Sequence, residues 1–285
     1  MIAGPHVNRC HVAGGSLAAN IEAAIEDAHA SADFVVGAVA VFIGGPHKRQ
    51  ITLETEGATK IRDLIEKSGL IVIAHNVYNA SPWRGDPDAA RFIRDEVKVC
   101  ASASIGGLVV HLPKLPISSV MKYIDRLVVP GVEGVRVYFE TPAVTPKESY
   151  YDSPEKLADL FREIRDTVDP DLERFGLCID TAHLWTNGVD LSSGDSASAW
   201  LSRLESFADI IPPHCVMLHL NDSERERGRG PDSHAALTKG RIWADNEGGL
   251  RAFIDYARRH NIPTILERPE CESLVDDYHV LQRLA

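Results

Sequence analysis

Six apolar segments that follow one another along the chain end in a histidine or an acidic residue, and further such residues come soon afterwards. The nine residues are His75, His111, Glu140, Asp180, His183, His219, Asp232, His234 and Glu267. One such residue alone is usually structural or solvated. Imidazoles and carboxylates in this number form a ligand set suited to zinc, and also to manganese or iron. Nine ligands are too many for one ion, and they fit three ions if one carboxylate bridges two of them.

Short apolar runs alternate with amphipathic stretches along the whole chain. The predicted strands are residues 2–6, 34–42, 70–75, 108–111, 135–140, 175–180, 215–220 and 264–267. The predicted helices are residues 17–30, 53–68, 88–104, 117–127, 154–168, 197–211, 248–260 and 274–284. Eight strand-and-helix units indicate an α/β protein with a parallel sheet, and a length of 285 residues favours a closed (β/α)8 barrel, or TIM barrel. We see no linker or internal repeat, so we predict a single domain over residues 1–285.

The barrel prediction explains why the position of the nine residues matters. Loops that follow the strands of such a barrel form the face where chemistry occurs. Three long segments without a predicted element, residues 76–87, 141–152 and 221–245, all follow strands. We therefore expect the nine side chains to converge on one rim of the barrel.

Several longer motifs surround these residues and resemble those of the endonuclease IV family of abasic-site endonucleases. In chain order from His6 to Glu267, the matching pieces are PHV, AHNVYNASP, VVHLPK, YFETPA, LCIDTAHLWTNGVD, MLHLNDS, PDSH and IPTILE. The CIDTAH and HLND segments are the most specific of them. The resemblance implies a TIM barrel and a metal-dependent phosphodiesterase of base excision repair. Its substrate would be double-stranded DNA, cut 5′ to an abasic site to leave a 3′-hydroxyl and a 5′-deoxyribose phosphate.

The same resemblance implies a role for each of the nine residues. One zinc ion would be held by His75, His111 and Glu140, and a second by Glu140, Asp180, His219 and Glu267. A third would be held by His183, Asp232 and His234, with manganese or iron as alternatives at one position. The implied catalytic residues are Glu140, which would bridge two ions, and Glu267, which would orient or deprotonate the attacking water.

Four further residues match family positions near the DNA. Tyr78 would contact DNA beside the lesion, and Lys48 and Arg49 fall where the family inserts a basic residue into the double helix. His6 could reach a metal-bound water. Packing for Tyr78, a solvated loop for the basic pair and a structural role for His6 stay open as alternatives.

Three segments depart from the family pattern. The loop after Glu140 reads TPAVTP instead of a glycine-rich stretch, the loop after His234 reads AALTKG instead of Gly-Glu-Gly, and NRCH follows the first strand. Because these loops shape the DNA groove, metal binding is the firmer expectation and lesion preference stays open.

Composition bounds the partners and the compartment. The formal charge of −11 argues against a nucleic-acid partner, but three divalent ions would reduce it to about −5 and concentrate positive charge at the site. The chain has five cysteines and no CxxC pair, which is typical of reduced thiols. No signal peptide or apolar span is present, so we expect a cytoplasmic or otherwise intracellular protein without a membrane partner. The resemblance implies a monomer.

Two other functions fit parts of the pattern. A sugar isomerase or epimerase of the xylose-isomerase-like type would bind a single metal, and Glu140, Asp180, His219 and Glu267 could supply its ligands. The remaining histidines and Asp232 would then have no reason to assemble. A non-catalytic DNA-binding barrel should have lost a metal ligand, and none of the nine is missing. Phosphate-loop, Rossmann and Ser-His-Asp motifs find no support in the sequence.

Overall fold

The computed structural model describes residues 1–7, 15–143, 150–268 and 274–285. Eight parallel strands in this part of the chain form one sheet, in the order β1-β8-β7-β6-β5-β4-β3-β2. They are β1 Ala3–Pro5, β2 Ala38–Val41, β3 Ile71–His75, β4 Gly107–His111, β5 Arg136–Glu140, β6 Phe175–Asp180, β7 Val216–His219 and β8 Thr264–Leu266. Each predicted strand overlaps one of them.

The first and second strands meet and bring the two edges of the sheet together. The backbone N–H of Gly37 donates to Ala3 O at 2.9 Å, and that of Val7 donates to Ala40 O at 2.8 Å. Gly4 lies where the two strands approach most closely, since a Cβ there would fall 2.0 Å from Ala38 O. With helices between the strands, this arrangement confirms the predicted (β/α)8 TIM barrel.

Nine α-helices lie in the described part of the chain. They are α1 Leu17–Ala32, α2 Thr55–Ser68, α3 Pro87–Ser102, α4 Ile117–Ile124, α5 Pro154–Thr167, α6 Thr181–Thr186, α7 Gly194–Glu205, α8 Gly248–His260 and α9 Leu274–Leu284. All eight predicted helices are present, and α6 is additional. Short 3-10 turns occupy Pro82–Arg84, Asp125–Leu127 and Pro213–Cys215.

Local signals account for several helix ends. Ser153 caps α5 by accepting from the backbone N–H of Lys156, with Pro154 at the first helical position. Gly69 and Asn261 end α2 and α8 in the left-handed conformation, at φ 69° and 54°. Glycine and asparagine are the residues that most readily adopt this conformation at a helix end.

Two predicted boundaries differ from the structure. The strand expected at 34–42 begins at Ala38, because Phe34 turns away to stack on Tyr278 of α9 at 4.5 Å. The helix expected at 197–211 is α7, which begins at Gly194 because Ser193 and Ser196 form a capping box. Turns replace its last predicted residues.

Loops after the strands carry two small antiparallel ladders that the sequence pattern does not predict. Gly44–Gly45 pairs with Lys48–Ile51 after β2, and Asp222–Ser223 pairs with His234–Ala235 after β7. Both ladders stand on the face where the parallel strands end. They give fixed positions to residues that would otherwise lie on long flexible loops.

The core has two layers. Inside the barrel lie Ala38, Ala40, Ile73, Val109, Tyr138, Cys178, Met217 and Ile265, all buried. A larger cluster fills the space between the strands and the surrounding helices. The barrel is therefore packed rather than open, and chemistry is confined to its rim.

Some sequence predictions concern properties that this fold does not decide. One domain over residues 1–285 stays a prediction, although β1 and β8, near opposite ends of the chain, pair directly. Cys100, Cys178 and Cys215 are free and buried, while Cys10 and Cys271 lie outside the described residues. Among the described residues, no helix has the length and apolar character needed to cross a membrane.

We predict that Gly4→Ala destabilises the protein by about 1–3 kcal/mol or more, since the added Cβ collides with the backbone of β2. Gly106→Ala is the matched control, because a Cβ there meets nothing within 4 Å. Urea unfolding of both variants measures the effect. Equal stability of the two variants would show that β1 and β2 do not need their close approach.

We predict that Glu96→Gln removes a pH-dependent loss of stability. Glu96 on α3 is 1% exposed, and burial raises its pKa from 4.5 to about 9. A raised pKa in the folded state means that its contribution is complete below pH 4.5 and is lost as the pH rises toward 9. Between pH 5 and pH 8 the free energy of unfolding of the wild-type protein should fall by up to about 4 kcal/mol, and that of the variant should not show this fall.

Urea unfolding at several pH values tests this difference, with Glu66→Gln on the exposed side of α2 as the control. The control should follow the wild-type pH profile. A parallel profile for Glu96→Gln would contradict the buried-acid explanation.

Candidate metal centre

The barrel brings all nine residues predicted from the sequence to one rim. His75, His111, Glu140, Asp180 and His219 are the last residues of β3 to β7 in turn. Glu267 follows β8 directly, and His183 lies on α6. Asp232 and His234 come from the loop after β7, where His234 belongs to the small ladder. The predicted convergence is therefore observed.

Glu140 lies at the centre of the group and is fully buried. Its Oε2 is 2.7 Å from His111 Nε2 and 3.4 Å from His75 Nε2. Its Oε1 is 2.8 Å from His219 Nδ1 and 3.5 Å from His183 Nδ1. Each oxygen thus faces a different pair of imidazoles, which is the geometry that a bridging carboxylate needs.

The first potential metal group comprises His75, His111 and Glu140, whose donor atoms lie within 4.8 Å of one another. His75 Nδ1 donates to Asn76 O at 2.8 Å, so its Nε2 is left as the lone-pair atom facing Glu140. The His111 side chain is 44% exposed. This group is therefore the one that opens toward solvent.

The second group comprises Glu140, Asp180, His219 and Glu267, again within 4.8 Å. His219 Nδ1 is 3.3 Å from Glu267 Oε2 and 3.8 Å from Asp180 Oδ2. Asp180 and His219 are buried completely. Three carboxylates with one imidazole make this the most anionic of the groups.

The third group contains His183 and His234, with a carboxylate on either side. Asp232 Oδ2 is 3.3 Å from His183 Nε2 and 3.2 Å from His234 Nε2, and Asp180 Oδ2 is 3.7 Å from His234 Nε2. Asp180, His183 and His234 also have donor atoms within 4.8 Å of one another. Asp180 therefore stands between the second and third groups, which the sequence pattern does not indicate.

The electrostatics of the site favour bound cations. Burial opposes ionisation of Glu140, but His111, His219 and His183 hold its pKa well below the usual value. Burial likewise opposes protonation of His183, but Asp180, Glu140 and Asp232 raise its pKa well above the usual value. The carboxylates raise the pKa values of His219 and His234 as well, and so attract positive charge onto these three rings.

Divalent ions fit these residues. The donors are imidazole nitrogens and carboxylate oxygens, which zinc prefers. In the part of the chain that the structure describes, buried Glu140 Oε2 and His234 Nε2 have charged neighbours but no partner in hydrogen-bonding geometry. Such atoms are costly to bury unless a ligand satisfies them.

Asn221 supports the acidic ligands, as the sequence position after His219 suggests. Its Nδ2 donates to Asp180 Oδ2 at 2.8 Å and to Glu267 Oε2 at 3.2 Å. Asp222, the residue after Asn221, has a different role. The Asp222 carboxylate accepts from the backbone N–H groups of residues 223, 240 and 242 and so shapes the loop instead.

Sequence reasoning missed two threonines that hold the site. Thr141 O accepts from His183 Nδ1 at 2.8 Å, and Thr141 Oγ1 accepts from the backbone N–H of Asp180 at 3.0 Å. Thr181 Oγ1 donates to Asn221 O at 2.7 Å and accepts from the backbone N–H of the same residue at 2.9 Å. Each threonine directly follows a ligand residue, in FET and IDT, and that position was the available signal.

Tyr78 and His6 lie beside the metal centre in different ways. The Tyr78 side chain is exposed, at 51%, and its ring centre is 5.6 Å from that of His75 and 5.8 Å from that of His111. His6 is buried, and its Nδ1 is 3.0 Å from Glu267 Oε1. A DNA contact stays a prediction for both, and the position of His6 favours a role in holding Glu267.

Lys48 and Arg49 lie on the exposed strand of the ladder after β2. Arg49 is already engaged, since its Nη2 and Nε donate to Asn79 O at 2.6 and 3.1 Å and its Nη1 is 2.7 Å from Asp86 Oδ2. The guanidinium therefore ties the ladder to the loop that carries Tyr78. Insertion of either basic residue into DNA stays a prediction.

The altered loops are partly described. Residues 8–14, which include NRCH, and residues 144–149 at the end of TPAVTP lie outside the described residues. The segment AALTKG is described, and its Gly240 approaches Asp222 so closely that a Cβ there would fall 2.4 Å from Asp222 Oδ1. The glycine in this altered loop therefore has a packing reason.

An eight-stranded parallel barrel with histidines and carboxylates on its rim is the architecture of a metal-binding TIM barrel. Comparison with known families gives the same class. The family model described as "Xylose isomerase-like TIM barrel" matches residues 29–269. A relative named "Probable AP endonuclease", from African swine fever virus, is 38% identical over 234 residues, which cover 80% of this chain and 77% of the relative. A "Probable endonuclease 4" from Chloroflexus aurantiacus is 28% identical over 260 residues, covering 85% of this chain and 87% of the relative.

Solved structures extend the likeness to three dimensions. One described as "The crystal structure of AsfvAP:AG" has a TM-score of 0.93 at 32% identity, covering 99% of this chain and 98% of that one. Endonuclease IV from Thermus thermophilus has a TM-score of 0.76 at 22% identity, covering 100% and 98%, and shares the fold. The chain belongs to the endonuclease IV family of xylose isomerase-like TIM barrels, as its motifs predict.

We predict that Arg49→Ala loosens the Tyr78 loop, whereas Lys48→Ala does not. Loss of the two hydrogen bonds to Asn79 and the ion pair to Asp86 should cost about 1 kcal/mol locally. Hydrogen exchange of the amides of residues 77–86 should be faster in the first variant alone. Equal exchange in both variants would mean that Arg49 does not hold this loop.

Proposed function

We propose that the protein is an apurinic/apyrimidinic endonuclease of base excision repair. It would hydrolyse the phosphodiester of double-stranded DNA on the 5′ side of an abasic site and leave a 3′-hydroxyl and a 5′-deoxyribose phosphate. The names of the relatives support the substrate, and the convergence of nine metal-competent residues around Glu140 supports the chemistry. That convergence is the observation that carries the proposal.

Three divalent ions, most consistently zinc, would occupy the three groups. His75, His111 and Glu140 would hold one, and Glu140, Asp180, His219 and Glu267 would hold another. The third would lie among His183, Asp232 and His234, with Asp180 beside it, and manganese or iron could replace zinc at one position. When bound, such ions neutralise phosphate oxygens, make a water molecule more acidic and stabilise the leaving alkoxide.

Glu267 is suited to orient the attacking water and to accept its proton. Its side chain is 13% exposed at the floor of the rim, with Oε1 held by His6 and Oε2 by Asn221. Burial opposes its ionisation, but His219 and His6 hold its pKa well below the usual value. The carboxylate is thus ionised and held in a fixed orientation, so it can accept a hydrogen bond from the attacking water, and it would take the proton of that water once bound metal ions had made it more acidic.

Tyr78 supplies an exposed aromatic ring beside the open first group. Such a ring can stack on a base or fill the space next to a lesion. The half of the Tyr78 side chain that packs against His75 and His111 is desolvated, and this, together with the negative charges of Glu267 and Glu140, raises the Tyr78 pKa, so the phenol stays neutral near a phosphate. We propose that Tyr78 and Lys48 contact DNA. We also propose that the protein acts as a monomer in an intracellular compartment that contains DNA.

A single-metal sugar isomerase or epimerase remains the second candidate. The second group alone offers the required acids and histidine, and a D-tagatose 3-epimerase-like protein shares the fold, with a TM-score of 0.64 at 15% identity. The five other converging residues favour the nuclease. Metal stoichiometry separates the two functions, since the isomerase needs one ion per chain.

We predict that Glu267→Gln lowers incision of duplex DNA carrying one abasic site by about 100- to 10,000-fold, because the base and one carboxylate ligand are lost while the shape is kept. The assay is gel analysis of a labelled oligonucleotide, together with metal analysis of each protein. Glu226→Gln, on an exposed part of the loop after β7, is the control and should cut at the wild-type rate.

The outcomes discriminate between the functions. About three metals per wild-type chain with cleavage 5′ to the lesion supports the nuclease. One metal per chain with no incision would reject it and make ketoses the next substrates to test. Incision that persists in Glu267→Gln would keep the nuclease but remove Glu267 as its base.

A further inference from the structure

Asp277 is a fully buried acid outside the nine metal-competent residues. It lies on α9, whose other polar side chains include the exposed Asp276 beside it. Asp277 Oδ2 is 2.7 Å from Arg268 Nε, and Asp277 Oδ1 accepts from the backbone N–H of Leu237 at 2.6 Å. One carboxylate therefore joins two separate segments of the barrel face to the last helix.

The first of these segments leads to the acidic ligands. Arg268, also buried, follows Glu267, and its Nη1 donates to Glu267 O at 2.7 Å and to Asn221 Oδ1 at 3.1 Å. Asn221 Oδ1 also accepts from the backbone N–H of Glu267 at 3.0 Å. With its oxygen fixed, the amide of Asn221 must direct Nδ2 toward Asp180 and Glu267, as the 2.8 and 3.2 Å contacts show.

The second segment leads to the histidine side of the site. Leu237 lies three residues after His234 and five after Asp232. Its backbone is held by Asp277, while the ladder of Asp222–Ser223 with His234–Ala235 holds the other end of the same segment. Asp277 thus fixes the loop that carries His234 and Asp232 relative to the strand end that carries Glu267.

Burying an arginine–carboxylate pair is expensive, and the pair by itself adds little stability compared with apolar residues of similar size. In this protein the pair serves to hold neighbouring side chains in a fixed orientation. Asn221 donates to two carboxylates that would repel each other without a cation between them, and its own orientation depends on Arg268. Partners of this kind in other metal sites set the orientation of the ligands and hence the metal affinity.

We propose that Asp277 and Arg268 are positioning residues which, through Asn221, set the metal affinity of the group formed by Glu140, Asp180, His219 and Glu267. The proposal rests on the metal centre of the proposed function. It does not depend on which substrate is cut. Its test therefore measures metal binding directly.

The test uses the full chain in four forms. Asp277→Asn removes the charge that holds Arg268, and Asp276→Asn makes the same change on the exposed side of the same helix. A double variant, Arg268→Met with Asp277→Asn, removes both buried charges together at nearly the same volume and keeps an oxygen that can accept from the backbone N–H of Leu237, and its melting temperature reports whether it folds. Zinc affinity is measured by competition with a chromophoric chelator, and cobalt(II) loading reports ligand geometry through its visible absorption.

The double variant and Asp277→Asn should bind the ion of the group formed by Glu140, Asp180, His219 and Glu267 about 10- to 100-fold more weakly and show an altered cobalt spectrum, while the ion held by His75, His111 and Glu140 binds as in the wild type. Asp276→Asn should match the wild type in both measurements. A merely structural pair would change the melting temperature and leave affinity and spectrum unaltered, and that result would overturn the proposal.

Failure of the proposed function is distinguishable from failure of this inference. A wild-type protein that binds metals but does not cut abasic DNA removes the endonuclease and leaves the positioning role to be decided by the four affinities. A wild-type protein that binds no divalent ion overturns both. A double variant with wild-type affinity overturns the positioning role alone.

Discussion

Mutual repulsion among buried carboxylates is the constraint on which this site depends. Glu140 and Asp180 are buried completely, and Glu267 and Asp232 lie within a few ångströms of the same histidines. Like charges in a poorly solvated space cannot coexist unless positive charge lies among them. The pKa values of His183, His219 and His234 are raised for this reason, although burial opposes their protonation, and divalent ions would satisfy the same demand with fixed geometry.

The parallel register of the barrel is what assembles these charges. His111 is the direct neighbour of Glu140 across β4 and β5, and Asp180 is the direct neighbour of His219 across β6 and β7. Neighbouring strands are about 4.8 Å apart, so side chains at equal height on adjacent strands meet without any loop between them. Pairing of β1 with β8 brings His6 to Glu267, and closure of β1 against β2, which the absence of a side chain at Gly4 permits, completes the rim.

Hydrogen bonds around the ligand residues hold their rings and carboxylates in one orientation. The carbonyl oxygens of Asn76 and Thr141 each fix the tautomer of a histidine, so that the second nitrogen of the ring faces the carboxylates. Asn221 holds two acids at once. These partners lie on the strand ends themselves or next to the ligands, so the rigidity of the barrel extends into the chemistry.

The sequence pattern was sufficient to predict the barrel, the family and the nine residues that converge. It could do so because strand and helix periodicity is local, and because each ligand stands at a recognisable strand end, as His75 does after LIVIA and Glu140 after VRVYF. Helix exits such as Gly69 were readable for the same reason. Chain order and the parallel topology then imply a shared rim.

The tertiary structure alone decided how the groups share their ligands and what holds them. Three features depend on contacts between separate segments of the chain. Asp180 lies between two groups, Arg49 binds the Tyr78 loop, and Asp277 joins α9 to the site. In the sequence, Asp277 is one acid among several on an amphipathic helix, and Arg49 is one cation in a polar loop. Their roles depend on how deeply each side chain is buried and on which groups it faces. Both are set only when segments that are distant in the sequence pack together.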